Sequence, residues 1–187
     1  MINPTSSTNE IVQLVLSLIE MAATDKKHPM HFAILGTINK EIPEMRYVVW
    51  RNFDVEHLSG QIYTDVRSDK IRHLLANSCA QLLFYDPEEK CQIRVNVEIK
   101  VHNQTKQTTD IYKTLGGGFE AYNTLQAPGT ACNSFENASE MKPEYKSEDF
   151  AVLETKFLSM EVLELSAPQH IRFEYNFVNK KFGWLVP

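Results

Sequence analysis

Three cysteines, Cys79, Cys91 and Cys132, are all that this chain has. An odd number without Cys-x-x-Cys spacing makes neither a disulfide framework nor a zinc clasp, so reduced, mostly structural thiols are expected. The 6 histidines are scattered, with no pair at metal-ligand spacing, and no metal is expected. Long apolar runs are missing too. Nothing approaches the roughly 20 residues of a membrane span, and the amino terminus lacks the basic, apolar, small-residue order of a signal peptide. The expectation is a cytoplasmic protein with no membrane partner. Positive charge is in short supply, with 19 Lys and Arg against 24 Asp and Glu for a net charge of −5. A nucleic-acid surface is normally basic, so no nucleic-acid partner is expected either.

What remains is ordinary for a soluble globular chain: 187 residues, 43% hydrophobic and 23% charged. That length suits one domain over 1–187, large enough to bury a core. Ser7-Thr8-Asn9-Glu10 reads as a capping box, and Ile11, Leu14, Val15, Leu18, Ile19 and Ala22 follow on one helical face. The spacing predicts a helix over about 8–24 that packs on a core, because its polar face is not basic enough for a membrane surface.

Strand patterns follow at His31 to Ile38, Gln81 to Tyr85 and Cys91 to Val101, with a helix between them at about 68–77. In the last of these strands Gln92, Arg94, Asn96, Glu98 and Lys100 alternate with Ile93, Val95, Val97, Ile99 and Val101. Such alternation puts one face in a core and the other against water, a partner or a ligand. From Thr108 to Leu125 the pattern is helical, broken by Gly116-Gly117-Gly118, and 127–148 is a long polar loop of the kind used as a lid or binding segment. Strand character returns at Ala151 to Phe157, Met160 to Leu165, His170 to Phe177 and Phe182 to Val186. Many short strands, few helices and no βαβ rhythm predict a mainly β, α+β fold: an antiparallel barrel with peripheral helices.

The stretch from Met45 to Lys70 carries the chemistry. Arg46 and Arg51 bracket the apolar run Val48-Val49-Trp50 on one strand, a second strand ends in Tyr63-Thr64, and Ser68 stands at the N-cap position of a helix. A helix start offers free N–H groups and the positive end of its dipole, and Arg67 and Lys70 add full charges, which makes a pocket suited to phosphate. Arg46 and Arg51 lie five apart, so on a regular strand they point to opposite faces. One ligand touches both only at a strand edge or across a bulge.

Arg-x-Val-Val-x-Arg, then Tyr-Thr-Asp-x-Arg-Ser-x-Lys, then Gln92-Ile93-Arg94 resembles the pyridoxamine 5'-phosphate oxidase-like FMN-binding split barrels, and more closely their oxidase-related branch, over about 28–165. The resemblance implies an antiparallel split barrel, FMN as cofactor, and a homodimer with FMN at the subunit interface. It implies that Arg46 contacts the flavin or its phosphate, that the Val48 and Val49 backbone runs along the ring edge, and that Tyr63, Thr64, Ser68 and Lys70 form the phosphate corner. Arg51 stands where the family commonly has lysine, and Asp69 where the biosynthetic oxidase has arginine, so Arg67 is expected to supply the second cation. Gln92 is expected to reach the flavin's pyrimidine end from across the dimer. His170 and Arg172 are a loose counterpart of the oxidase's substrate-contacting strand, without its arginine-x-histidine order, and no other residue is assigned a catalytic role. Three readings follow: an FMN-dependent oxidoreductase acting on a small molecule, a non-catalytic flavin carrier or sensor, and a barrel for another phosphorylated or acidic ligand.

Overall fold

The computed structural model describes residues 2–165 and 169–187. Among them the elements run α1 Thr8–Thr24, β1 Phe32–Asn39, β2 Ile42–Asp54, β3 Ser59–Asp65, α2 Asp69–Ala76, β4 Cys79–Asp86, β5 Cys91–Asn103, α3 Lys106–Thr114, α4 Phe135–Ala138, β6 Phe150–Glu164, β7 Ile171–Asn176 and β8 Lys181–Trp184. The sheet is antiparallel in the order β3-β2-β1-β4-β5-β6-β7-β8, and β3 also pairs with β6. That extra pairing rolls β1 to β6 into a barrel and leaves β7-β8 as a hairpin on its rim.

The first helix forms as its sequence predicts. The Ser7 hydroxyl accepts from the Glu10 amide while the Glu10 carboxylate accepts from the Ser7 amide, and Ile11, Val12, Val15, Leu16, Ile19, Ala22 and Ala23 are buried. This apolar face closes one end of the barrel. It is fastened by Trp50, whose indole Nε1 donates to the Ile19 carbonyl at 3.1 Å. Trp50 is fully buried and packs against Phe53, Phe84 and Phe157.

Three details depart from the strand and helix patterns. Ala151 to Phe157 and Met160 to Leu165 are one strand, β6, because a register shift opposite Asn96 and Val97 absorbs Leu158 without ending the pairing. The helix expected to run on to Leu125 stops at Thr114, before the glycines, and resumes as a 3₁₀ turn at Phe119–Tyr122. Gly117 and Gly118 have φ of 148° and 77°, values that end a helix and suit glycine. The polar stretch 127–148 holds one helical turn, α4. α3 and the 3₁₀ turn after it contribute Tyr112 and Tyr122 to a second small core with Phe150 and Val152.

Gly60 pairs with Phe53 beneath the Trp50 ring, and a Cβ there would lie 2.0 Å from an indole carbon. Gly60→Ala therefore forces the indole or the strand to move, at an expected cost of about 1–3 kcal/mol. A thermal melt checks this. An unchanged melting temperature would mean that the ring has room the packing does not show.

Candidate functional site

Strand β2 pairs with β1 along 42–49 but with β3 only from Trp50 onward, and β3 beyond Ile62 continues against β6. The two strands part, and β2 presents an open edge from Arg46 to Val49. A cleft of about 620 Å³ fills the gap, walled by both strands, by the start of α2 and by Leu115 to Gly118, Ala121, Tyr122 and Pro128.

Eight of the ten residues expected to hold a cofactor line it: Arg46, Val48, Val49, Arg51, Tyr63, Thr64, Ser68 and Lys70. The five-residue spacing of the two arginines is resolved as the alternation requires. Arg46 sits on the open edge, and the register of β2 against β3 shifts between Trp50 and Phe53, which turns Arg51 inward.

At one end of the cleft Lys70 Nζ donates to the Thr64 and Ser68 hydroxyls, each at 2.9 Å. Burial lowers the proton affinity of Lys70, and the nearby charge of Arg46 lowers it further. Ser68 occupies the N-cap position of α2 without capping it. Its hydroxyl donates to the Asp65 carbonyl at 2.7 Å, so the amides of the first turn receive no side-chain cap. An ammonium, a guanidinium, two hydroxyls and an uncapped helix start suit a phosphate monoester.

Toward the other end, the Arg51 guanidinium lies over the Tyr63 ring, 5.7 Å from its centroid, and its buried Nε has no hydrogen-bond partner among the described residues. Burial raises the pKa of Tyr63 and Tyr122, and Arg51 partly offsets both. Both phenols stay protonated as donors beside a cation. Lys26, Tyr47 and the three glycines also line the cleft. Sequence reasoning left them unassigned, since nothing in a lysine after a helix or a glycine run tells which wall it will join.

Two expected residues stand elsewhere. Arg67 is not among the residues that line the cleft: its guanidinium pairs with Asp65 at 2.6 Å and Asp149 at 3.2 Å and donates to the Thr124 carbonyl at 3.0 Å. The Asp65 hydrogen bond leads in raising its pKa. Gln92 points outward from β5, beside Tyr85 on β4 and Leu163 on β6. On that outer face Arg94 and Arg172 flank Glu161, which lowers the Glu161 pKa against the opposing effect of burial. Arg172 is thus engaged on the barrel wall. The same face continues onto β4 and β1, where Phe32 and Tyr85 are exposed, and onto β2, where Met45 and Tyr47 are 73% and 72% exposed. No group of metal ligands occurs among the described residues, and no helix there is long and apolar enough to cross a membrane.

The FMN-binding domain family of pyridoxamine 5'-phosphate oxidase matches residues 12–103, a span that holds all three motifs. No curated protein matches the chain. Among solved structures, a pyridoxamine 5'-phosphate oxidase-related, FMN-binding protein from Nostoc punctiforme superposes with a TM-score of 0.77 at 16% identity, with 100% of each chain covered. PhzG from Burkholderia lata, solved with tetrahydrophenazine-1-carboxylic acid, gives 0.71 at 17% identity, covering 99% of this chain and 95% of its own. General stress protein 26 from Bacillus anthracis gives 0.55 at 11% identity, covering 91% and 98%. At these identities the likeness is one of fold, and the fold is the split barrel that the motifs implied.

Arg67 ties the 104–149 excursion to the barrel, and its Asp65 partner is 2% exposed. Arg67 is partly exposed, and the residue 67 amide still donates to Asp65 once the guanidinium is gone, so Arg67→Met is expected to cost about 1–3 kcal/mol. Urea unfolding checks it, and the double variant Arg67→Met/Asp65→Asn is expected to recover part of the loss. A single variant as stable as the parent would show that the pair holds nothing together.

Proposed function

We propose that this chain, whose residues 12–103 match the FMN-binding domain of the pyridoxamine 5'-phosphate oxidase family, binds FMN in the cleft between β2 and β3 and acts as a flavin-dependent oxidoreductase on a small molecule. The observation that carries the reading is the gathering of Lys70, Thr64 and Ser68 with Arg46 at one end of a cleft whose long wall is an open strand edge. Lys70, Thr64, Ser68 and Arg46 would hold the phosphate, and the backbone groups of 48–49 that face away from β1 would serve the polar edge of the ring system. Arg51, its Nε unpaired among the described residues, would supply positive charge toward the far end. Bound FMN supplies hydride or electron transfer, and a cation near it favours its anionic reduced form.

A second reading, a flavin carrier or sensor without turnover, has its own support. Asp65 supplies the one carboxylate among the described residues lining the cleft, and it is already paired with Arg67. No free general base stands there, which suits either hydride transfer to a neutral acceptor or no turnover at all. Reduction by a nicotinamide donor followed by reoxidation on adding a substrate separates the two.

A second copy of this chain is proposed to cover the outer face of β2, β1 and β4. Phe32, Met45, Tyr47 and Tyr85 form an exposed apolar patch there, contiguous with Gln92 and beside the cleft. A dimer built on it would carry Gln92 toward the neighbouring cleft.

FMN titration is the test of the cofactor. Arg46→Ala and Lys70→Ala each remove a charge-assisted contact and are expected to weaken FMN about 10- to 100-fold. Because the buried Lys70 releases its proton more easily than a solvated lysine, affinity is expected to fall with rising pH earlier than an ordinary lysine would set. Lys70→Arg, which keeps its proton, is expected to flatten that fall. A parent protein that does not bind FMN would remove the reading. Light scattering tests the dimer: twice 21.5 kDa is expected for the parent, and a monomer with weakened FMN binding for Phe32→Asp. A monomeric parent that still holds FMN would contradict the shared site.

A further inference from the structure

Arg46 is held by a partly buried polar network that reaches back to helix α2. Its Nη1 donates to the Thr37 hydroxyl at 2.6 Å and to the Glu44 and Leu35 carbonyls at 2.9 and 3.3 Å, while Nη2 donates to Glu44 Oε2 at 3.2 Å. Thr37, on β1 opposite Glu44, is buried, and so is His73 on α2, whose Nδ1 lies 3.1 Å from the Thr37 hydroxyl. A hydroxyl that accepts from a guanidinium keeps one hydrogen to give, and His73 Nδ1 is the acceptor beside it. The ring hydrogen then resides on Nε2. That atom has no hydrogen-bond partner among the described residues and stands 3.8 Å from Glu44 Oε1, which accepts from Asn39 at 2.8 Å.

A buried threonine on β1 and a buried histidine on α2 are a costly way to fill space, the more so with one ring nitrogen left unpaired among the described residues. They are explained by what they aim. The same helix carries Lys70 in its first turn and His73 three residues on, and the charge of Arg46 is felt at Lys70. We propose that Thr37 and His73 are positioning residues that fix the Arg46 guanidinium against α2, so that it converges with Lys70 on the phosphate of the bound flavin. The inference rests on the FMN reading. Thr37 spends its acceptor capacity on Arg46 and its hydrogen on His73. His73, through Thr37, in turn ties strand β1 to the element that bears the second cation.

The test compares FMN with riboflavin, which lacks the phosphate, by fluorescence titration at fixed pH and salt. Thr37→Val is expected to weaken FMN about tenfold and leave riboflavin within about twofold, and Thr37→Ser to restore FMN. If Thr37→Val does not fold, the pair His73→Leu and His73→Asn makes the same comparison, since the asparagine amide reaches the Nδ1 position. In that pair the leucine variant is expected to lose FMN affinity and the asparagine variant to keep it. Equal losses for FMN and riboflavin would reveal a merely structural role and overturn the proposal. So would undiminished FMN affinity in both Thr37→Val and His73→Leu, with FMN binding by the parent intact. A parent that fails to bind FMN removes the flavin reading first, and is told apart by that.

Discussion

The cleft exists because β2 and β3 pair at Trp50–Ile62 and diverge beyond it. Three contacts hold the paired end. The indole occupies the space a side chain at Gly60 would need, its N–H ties it to α1, and the register shift after Trp50 lets the strand twist away from its neighbour. Divergence leaves those backbone groups of 46–49 that face away from β1 without a partner on β3. An exposed strand edge is a liability in most sheets. Here it lies inside a walled cleft, where a flat polar ligand can use it.

Charge is distributed to match. The chain is acidic overall, with a net charge of −5, yet Lys26, Arg46, Arg51 and Lys70 all line this one cleft. The carboxylates nearby are disposed of by pairing. Asp65 and Asp149 take Arg67, and Glu44 takes Arg46 from behind. Desolvation makes Lys70 and Arg46 costly to keep charged, and the lowered proton affinity of both expresses that cost. An anion in the cleft would relieve it.

The barrel was legible in the sequence because period-two alternation is a local signal. Cys91 to Val101 announces its buried face residue by residue, and the capping box at Ser7 announces its helix. The cluster of Lys70 with the Thr64 and Ser68 hydroxyls was legible for a related reason: Tyr63 to Lys70 is short, so its hydroxyls and cations stay close in space however the chain closes. What could not be read depends on distant pieces of chain. Arg67 sits in the right motif, but its fate is decided by Asp149 and the Thr124 carbonyl, far along the sequence. Thr37 and His73 look like an ordinary strand threonine and helix histidine until the fold sets them side by side. Two strand segments read as separate proved continuous because a bulge, invisible to periodicity, bridges them.

The most direct measurement is a crystal structure of the chain grown with FMN. The account predicts the phosphate within hydrogen-bonding distance of Lys70 Nζ and the Thr64 and Ser68 hydroxyls, with the ring system along the open edge of β2. A flavin bound with its phosphate away from that corner, or a saturated crystal with the cleft free of flavin, would contradict it.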